Sequence, residues 1–154
     1  MMFDIRQILR DSVPKELKVG DKGMFTKTVE TFDIYLFAGI TGDFNPAHID
    51  EEHSKDGMFK HRVMHGMICA GYISGAITQK LPGLGTIVTK QHIQFKKPVF
   101  VGDSITVNLE IIKIEGLKIT LNTTCVNQEG VIVTEGSVET LIPNLVGEGA
   151  LYEN

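Results

Sequence analysis

The chain has 154 residues, 42% of them apolar, and its 15 Lys+Arg against 19 Asp+Glu leave a net charge of −4. That length fits one domain able to bury a core without staples, and the apolar share excludes a disordered chain. The negative balance leaves no broad basic surface of the kind that binds nucleic acid.

In chain order, Met1 to Arg10 alternates charged and apolar residues without an apolar central run, which is not the pattern of a signal peptide. Residues 1–20 are read as a leader, with a helical turn near Ile5–Leu9 that Pro14 breaks. Met24 to Glu30 alternates like a first strand. Thr31 is placed as the N-cap of a short helix from Phe32 to about Ile40, with Gly42 as its stop. Residues 49–62 are polar and charged, and are read as an irregular surface excursion.

Gly66 to Lys80 predicts a helix with no charged residue before Lys80 and with apolar groups nearly all the way round. Such a helix is buried, and Pro82-Gly83 ends it. The rest reads as strands. Thr86 to Pro98 sets Ile87, Ile93 and Phe95 in one phase. Ile105 to Ile111, Leu117 to Leu121 and Val131 to Ile142 follow, with turns at Glu115-Gly116 and Glu129-Gly130. One apolar helix and about five strands predict an α+β domain over residues 21–143, its curved antiparallel sheet wrapping the helix. Residues 144–154 are expected to be a loose tail. Cys69 and Cys125 stand in apolar contexts and are expected to be buried free thiols, which suits a cytoplasmic setting. Val63 to Gln79 is too short and too rich in small residues for a membrane span.

The stretch Thr41-Gly42-Asp43-Phe44-Asn45-Pro46-Ala47-His48 carries the chemistry. On a helix, Asp43 and His48 would point along divergent faces. A turn held by Pro46, with Asn45 biased to an extended conformation, can aim both at one point. A carboxylate and an imidazole that converge can give and take a proton on a bound molecule. The plain alternative is that Asp and Asn are there for turn chemistry alone.

The run Phe37-Ala38-Gly39-Ile40-Thr41-Gly42-Asp43-Phe44-Asn45-Pro46-Ala47-His48 resembles the signature of the (R)-specific enoyl-CoA hydratases, the MaoC-like branch of the hot-dog fold. The resemblance continues through Val63-Met64-His65-Gly66-Met67, Leu81-Pro82-Gly83 and Phe95-Lys96-Lys97-Pro98-Val99-Phe100-Val101-Gly102-Asp103. It implies a hot-dog fold, a homodimer made by continuing two sheets edge to edge, and reversible syn addition of water to a trans-2-enoyl thioester such as an acyl-CoA. It also implies that Asp43 and His48 are catalytic, that the Gly66 N–H meets the thioester oxygen, that Asn45 supports the pair and that Ser74 lines the acyl pocket. No metal or redox cofactor is implied, because the thioester itself acidifies the α-carbon.

Plainer readings stand beside these. Ser74 suits helix packing, and His65 suits a cap or a packing role beside Gly66. His53 and His92 are read as surface histidines. His61, His65 and Cys69 fall at four-residue intervals, yet a helix beginning at Gly66 leaves His61 outside it, so no metal site is expected. Lys90, Lys96 and Lys97 suit either the phosphates of a pantetheine carrier or a solvated strand face. A hot-dog thioesterase, a dehydratase of carrier-protein thioesters and a non-enzymatic acyl-thioester binder are the alternative functions. Other hot-dog branches usually place an acid on the central helix, and this helix has none.

Overall fold

The structure, a computed structural model, describes residues 16–142. The expected turn near Ile5–Leu9 and the tail 144–154 lie outside the described residues. Nine elements follow in order: β1 (Lys22–Thr28), α1 (Thr31–Thr41), α2 (Pro46–Ile49), α3 (Glu51–Asp56), α4 (Gly66–Gln79), β2 (Ile87–Phe95), β3 (Ser104–Glu115), β4 (Lys118–Val126) and β5 (Ile132–Leu141). All strand pairs are antiparallel, in the order β1-β3-β4-β5-β2, which leaves β1 and β2 as the edges.

The core forms where α4 lies on the sheet. Ile68, Cys69, Tyr72, Ile73, Ala76 and Ile77 of α4 are buried against Ile105, Val107, Leu109, Ile111, Ile119, Leu121 and Val138. The strand residues recur at every second position, as a pleated sheet with one covered face requires. Both cysteines are free and buried, as expected. The helix departs from expectation on one side. Met67 is 52% exposed, and Gly71 and Ser74 are exposed with it. These positions form one stripe at helical spacing, and a single sheet covers only the opposite side of the helix. The α4 C-terminus is closed by Gly83, whose N–H donates to the Ile77 carbonyl at 3.0 Å.

Three local expectations change. The α1 N-cap is Glu30, not Thr31, and the Asp33 carboxylate accepts from the Glu30 N–H at 2.9 Å, one half of a capping box. Gly42 does end α1, in the left-handed region at φ 76°. The excursion 49–62 contains α3, capped by Asp50, whose carboxylate accepts from the His53 N–H. Six residues are too few to show a helical period, so sequence patterning misses it. In β2, the register shifts between Val88 and Lys90, so Ile87 is turned out to solvent while Val88 and Ile93 pack on the core.

Asp33 ties three elements together. Its carboxylate accepts both hydrogen bonds of the Lys27 ammonium, at 2.7 and 2.6 Å, and a longer one from the Tyr72 hydroxyl. Burial pushes the Asp33 carboxyl up, but the bonds from Lys27 and from the Glu30 N–H outweigh it and hold the group below its ordinary value. A depressed carboxylate adds stability above its unfolded pKa of about 3.9 and loses it as pH falls through the lower folded value. Asp33→Asn therefore destabilises by about 1–3 kcal/mol at pH 7. The gap in thermal midpoint between the two proteins narrows below about pH 4. A gap of equal size at pH 7 and pH 3 contradicts this assignment.

Candidate active site

The segment between α1 and α4 brings Asp43, His48 and His65 together, with ligand-capable atoms all within 4.8 Å of one another. Asn45 builds the local turn. Its side chain accepts from the Ala47 N–H at 3.0 Å and caps α2, and its own N–H donates to the Asp43 carboxylate at 3.2 Å. Pro46 opens the helical turn at its first position, where a missing N–H costs nothing. The link from Asp43 to His48 is thus a cap followed by one turn of helix, not an open turn throughout.

The His48 imidazole is fixed from behind. Its Nδ1 lies 2.8 Å from the Val63 carbonyl oxygen. A carbonyl only accepts, so Nδ1 carries the hydrogen and Nε2 keeps its lone pair. The Val63 N–H in turn donates to the Ala47 carbonyl at 3.0 Å. The His65 ring stacks on His48 with centroids 3.9 Å apart and meets Phe37 at 4.9 Å. His65 is 2% exposed and its Nε2–H donates to the Asp43 carbonyl at 2.9 Å. It stands at the N-cap position of α4 but makes no cap bond with its side chain. Its role in the structure is packing and holding Asp43. The same Nε2 is 3.8 Å from the Asp43 carboxylate, beyond hydrogen-bond reach. Because that nitrogen donates to a carbonyl, it has no lone pair for a metal ion. Free capacity remains on the exposed Asp43 carboxylate, on His48 Nε2 and on His65 Nδ1, which is buried without a hydrogen-bond partner.

The metal alignment considered for His61, His65 and Cys69 does not form. The His61 ring is exposed and binds Glu51 at 2.8 Å, while Cys69 is turned to the core.

Gly66 is the first residue of α4, where helix geometry leaves N–H groups without intrahelical acceptors and gathers the positive end of the dipole. A Cβ on Gly66 would meet the Phe95 ring at 3.0 Å, so the space a side chain would need is already filled by that phenyl group. His48 and Gly66 both line a cavity of about 400 Å³, closed by Met67, Cys69, Phe95 and Thr134 among others. A groove of about 420 Å³ on the outer face of β1, β3 and β4 holds none of the site residues. Cys69, which lines the cavity, is a buried free thiol whose pKa is held down by the neighbouring Cys125 thiol against the rise from burial. Ser74 is exposed on the open stripe of α4 and does not line the cavity. Sequence patterning missed Val63, Phe95, Cys69 and Thr134. Val63 and Phe95 had a signal, each opening a motif that carries the resemblance, while Cys69 and Thr134 had none as cavity residues.

A carboxylate and an oriented imidazole beside a helix N-terminus, over an apolar cavity in a one-helix, five-strand wrap, define a hot-dog domain with acid–base capacity. A family model described as "MaoC like domain" matches residues 17–135. An (R)-specific enoyl-CoA hydratase of Rhodospirillum rubrum is 38% identical over 131 residues, covering 84% of this chain and 90% of that protein. The unliganded R-hydratase PhaJ1 from Pseudomonas aeruginosa superposes with a TM-score of 0.81 at 37% identity, covering 86% of each chain. A mitochondrial 3-hydroxyacyl-[acyl-carrier-protein] dehydratase of Arabidopsis thaliana is 30% identical, covering 84% of this chain and 80% of that protein. The chain belongs to the MaoC-like domain family and has the hot-dog fold.

Proposed function

We propose that the protein is an (R)-specific enoyl-CoA hydratase, a hydro-lyase that reversibly adds water syn across a trans-2-enoyl thioester. The observation that carries this is the convergence of Asp43 and His48 at a cavity that begins on the Gly66 end of α4. Asp43 and His48 hold the water between carboxylate and imidazole. One accepts its proton as the oxygen bonds to the β-carbon. The electron pair of the C=C bond moves to the thioester oxygen, where the Gly66 N–H receives the developing charge. The proton taken from the water is then passed to the α-carbon as the carbonyl re-forms, with the other group helping to deliver it, so one water supplies both the hydroxyl and the hydrogen. Syn addition needs both groups on one face of the substrate, and their spacing meets that need. Asn45 and His65 position the pair. The reaction asks for no metal or redox cofactor.

Loss of enoyl absorbance with trans-crotonyl-CoA, with the product resolved as the (R)-3-hydroxy isomer, is the expected result. No turnover, an (S) product, or release of free thiol, which marks a thioesterase, overturns the reading.

The protein acts as a homodimer in which sheets continue edge to edge. Support comes from β2, an outer strand with Ile87 and Phe95 about half exposed and with the buried Gln91 side-chain nitrogen lacking a partner. Light scattering that gives a monomer mass at micromolar concentration rejects it. The two free thiols favour a cytoplasmic setting. Among the described residues, no helix is long and apolar enough to cross a membrane.

A further inference from the structure

We propose that Lys97 anchors the phosphate of a phosphopantetheine-type thioester carrier at the mouth of the cavity. This rests on the hydratase reading of the same site.

Three lysines lie on or beside β2, and the structure separates them. The Lys90 ammonium is paired with Glu139 at 3.0 Å and does not line the cavity. Lys96 lines it, but its ammonium is held by Glu135 at 2.9 Å and by the Gln94 side-chain oxygen at 3.3 Å. Lys97 lines the cavity, is exposed, and has no acidic partner within ion-pair distance among the described residues. None of the residues lining the cavity is Asp or Glu, in a chain whose net charge is −4. Among the described residues that line the cavity, Lys97 carries a positive charge left without an acidic partner, which draws an anion to that place.

The position of Lys97 is set by the backbone. The N–H groups of Lys96 and Lys97 both point at the Val133 carbonyl, at 2.8 and 3.3 Å, which stops the strand alternation and lets both residues line the cavity. Pro98 follows and also lines the cavity, so the backbone there has little freedom. Phe95, two residues back, packs on Gly66. Two residues of extended chain, at about 3.3 Å each, and the lysine stem carry the ammonium outward from the helix N-terminus. A thioester seated at Gly66 must send its pantetheine arm outward in the same way, with the phosphate at the far end.

The test is calorimetric binding of unreactive butyryl thioesters that differ only in the carrier: pantetheine, phosphopantetheine, CoA and a carrier protein. Wild type binds butyryl-phosphopantetheine more tightly than butyryl-pantetheine, and added salt erodes the difference. Lys97→Gln weakens butyryl-phosphopantetheine and butyryl-CoA by about two- to fivefold, the scale of one exposed ion pair, and leaves butyryl-pantetheine unchanged. Lys90→Gln changes none of them. Loss also seen with the carrier protein, or absent there, assigns the phosphate to the protein-borne or the CoA source. Equal affinity of Lys97→Gln and wild type for butyryl-phosphopantetheine overturns the proposal, as does an equal loss for butyryl-pantetheine. Binding needs no turnover, so failure of the hydratase reading shows separately, as wild type that does not hydrate crotonyl-CoA.

Discussion

Replacing His48 with alanine lowers kcat/KM for trans-crotonyl-CoA by about 10²–10⁴-fold, and Asp43→Ala does the same. Both variants keep wild-type circular dichroism and unfold within a few degrees of wild type. The Asp43 side chain is about half exposed, 49%, so its loss leaves no buried charge and no cavity. His48 is half-buried, and removing it frees the Val63 carbonyl, but the Val63 N–H keeps its bond to the Ala47 carbonyl and holds the segment. The double variant falls little further than either single one, because a water held by two groups is released when one is lost. Rates near wild type in both single variants refute the assigned roles.

Gly136→Ala has the largest expected effect on the fold. Gly136 sits in β5, opposite Ile93 of β2 on one side and Thr123 of β4 on the other. A Cβ there would fall inside the van der Waals shell of the His92 carbonyl, a backbone group that cannot swing away. Either β2 leaves β5 or the pair is strained along its length, at a cost of about 2–4 kcal/mol. A drop in thermal midpoint of at least about 5 °C follows for a chain this size. Because β2 leads into Phe95–Pro98, KM rises in whatever fraction still folds. Gly71→Ala is the control. A Cβ at Gly71 meets nothing, and alanine is favoured over glycine inside a helix by about 0.5–1 kcal/mol. A Gly136→Ala protein as stable as wild type removes this account of the glycine.

What could be read from the chain divides along physical lines. The α4 helix was legible because Gly66 to Gln79 lacks charge, and β3 and β4 because Ile105 to Ile111 and Ile119 to Leu121 alternate cleanly. These signals are local and periodic. The open side of α4 was not legible, since Met67, Gly71 and Ser74 look like packing residues until one sees that a single sheet leaves them uncovered. The Asp43/His48 pair was visible as a motif, whereas the tautomer of His48 depends on a carbonyl at Val63, fifteen residues away in sequence. The cavity wall was hidden for the same reason, because Cys69, Phe95 and Thr134 come from three different elements. Lys97 could not be told from Lys96 by alternation, which stops where both N–H groups share the Val133 carbonyl.

Val63 sets a boundary on how the chain can vary. It bridges Phe100 on one side and Ala47 on the other, and the next N–H, of Met64, donates to the Val99 carbonyl at 2.8 Å. Upstream, Glu51 holds the Arg62 N–H at 3.1 Å, so the return of the excursion is latched before it reaches the imidazole. Residues 57–61 lie between these latches and carry none of the bonds to His48. Changes beside Met58, 84% exposed, alter the outline of the surface without moving the base, whereas those at Phe59 reach the cavity wall and those at His61 reach the Glu51 latch, and Val63 is the point where such grafting must end.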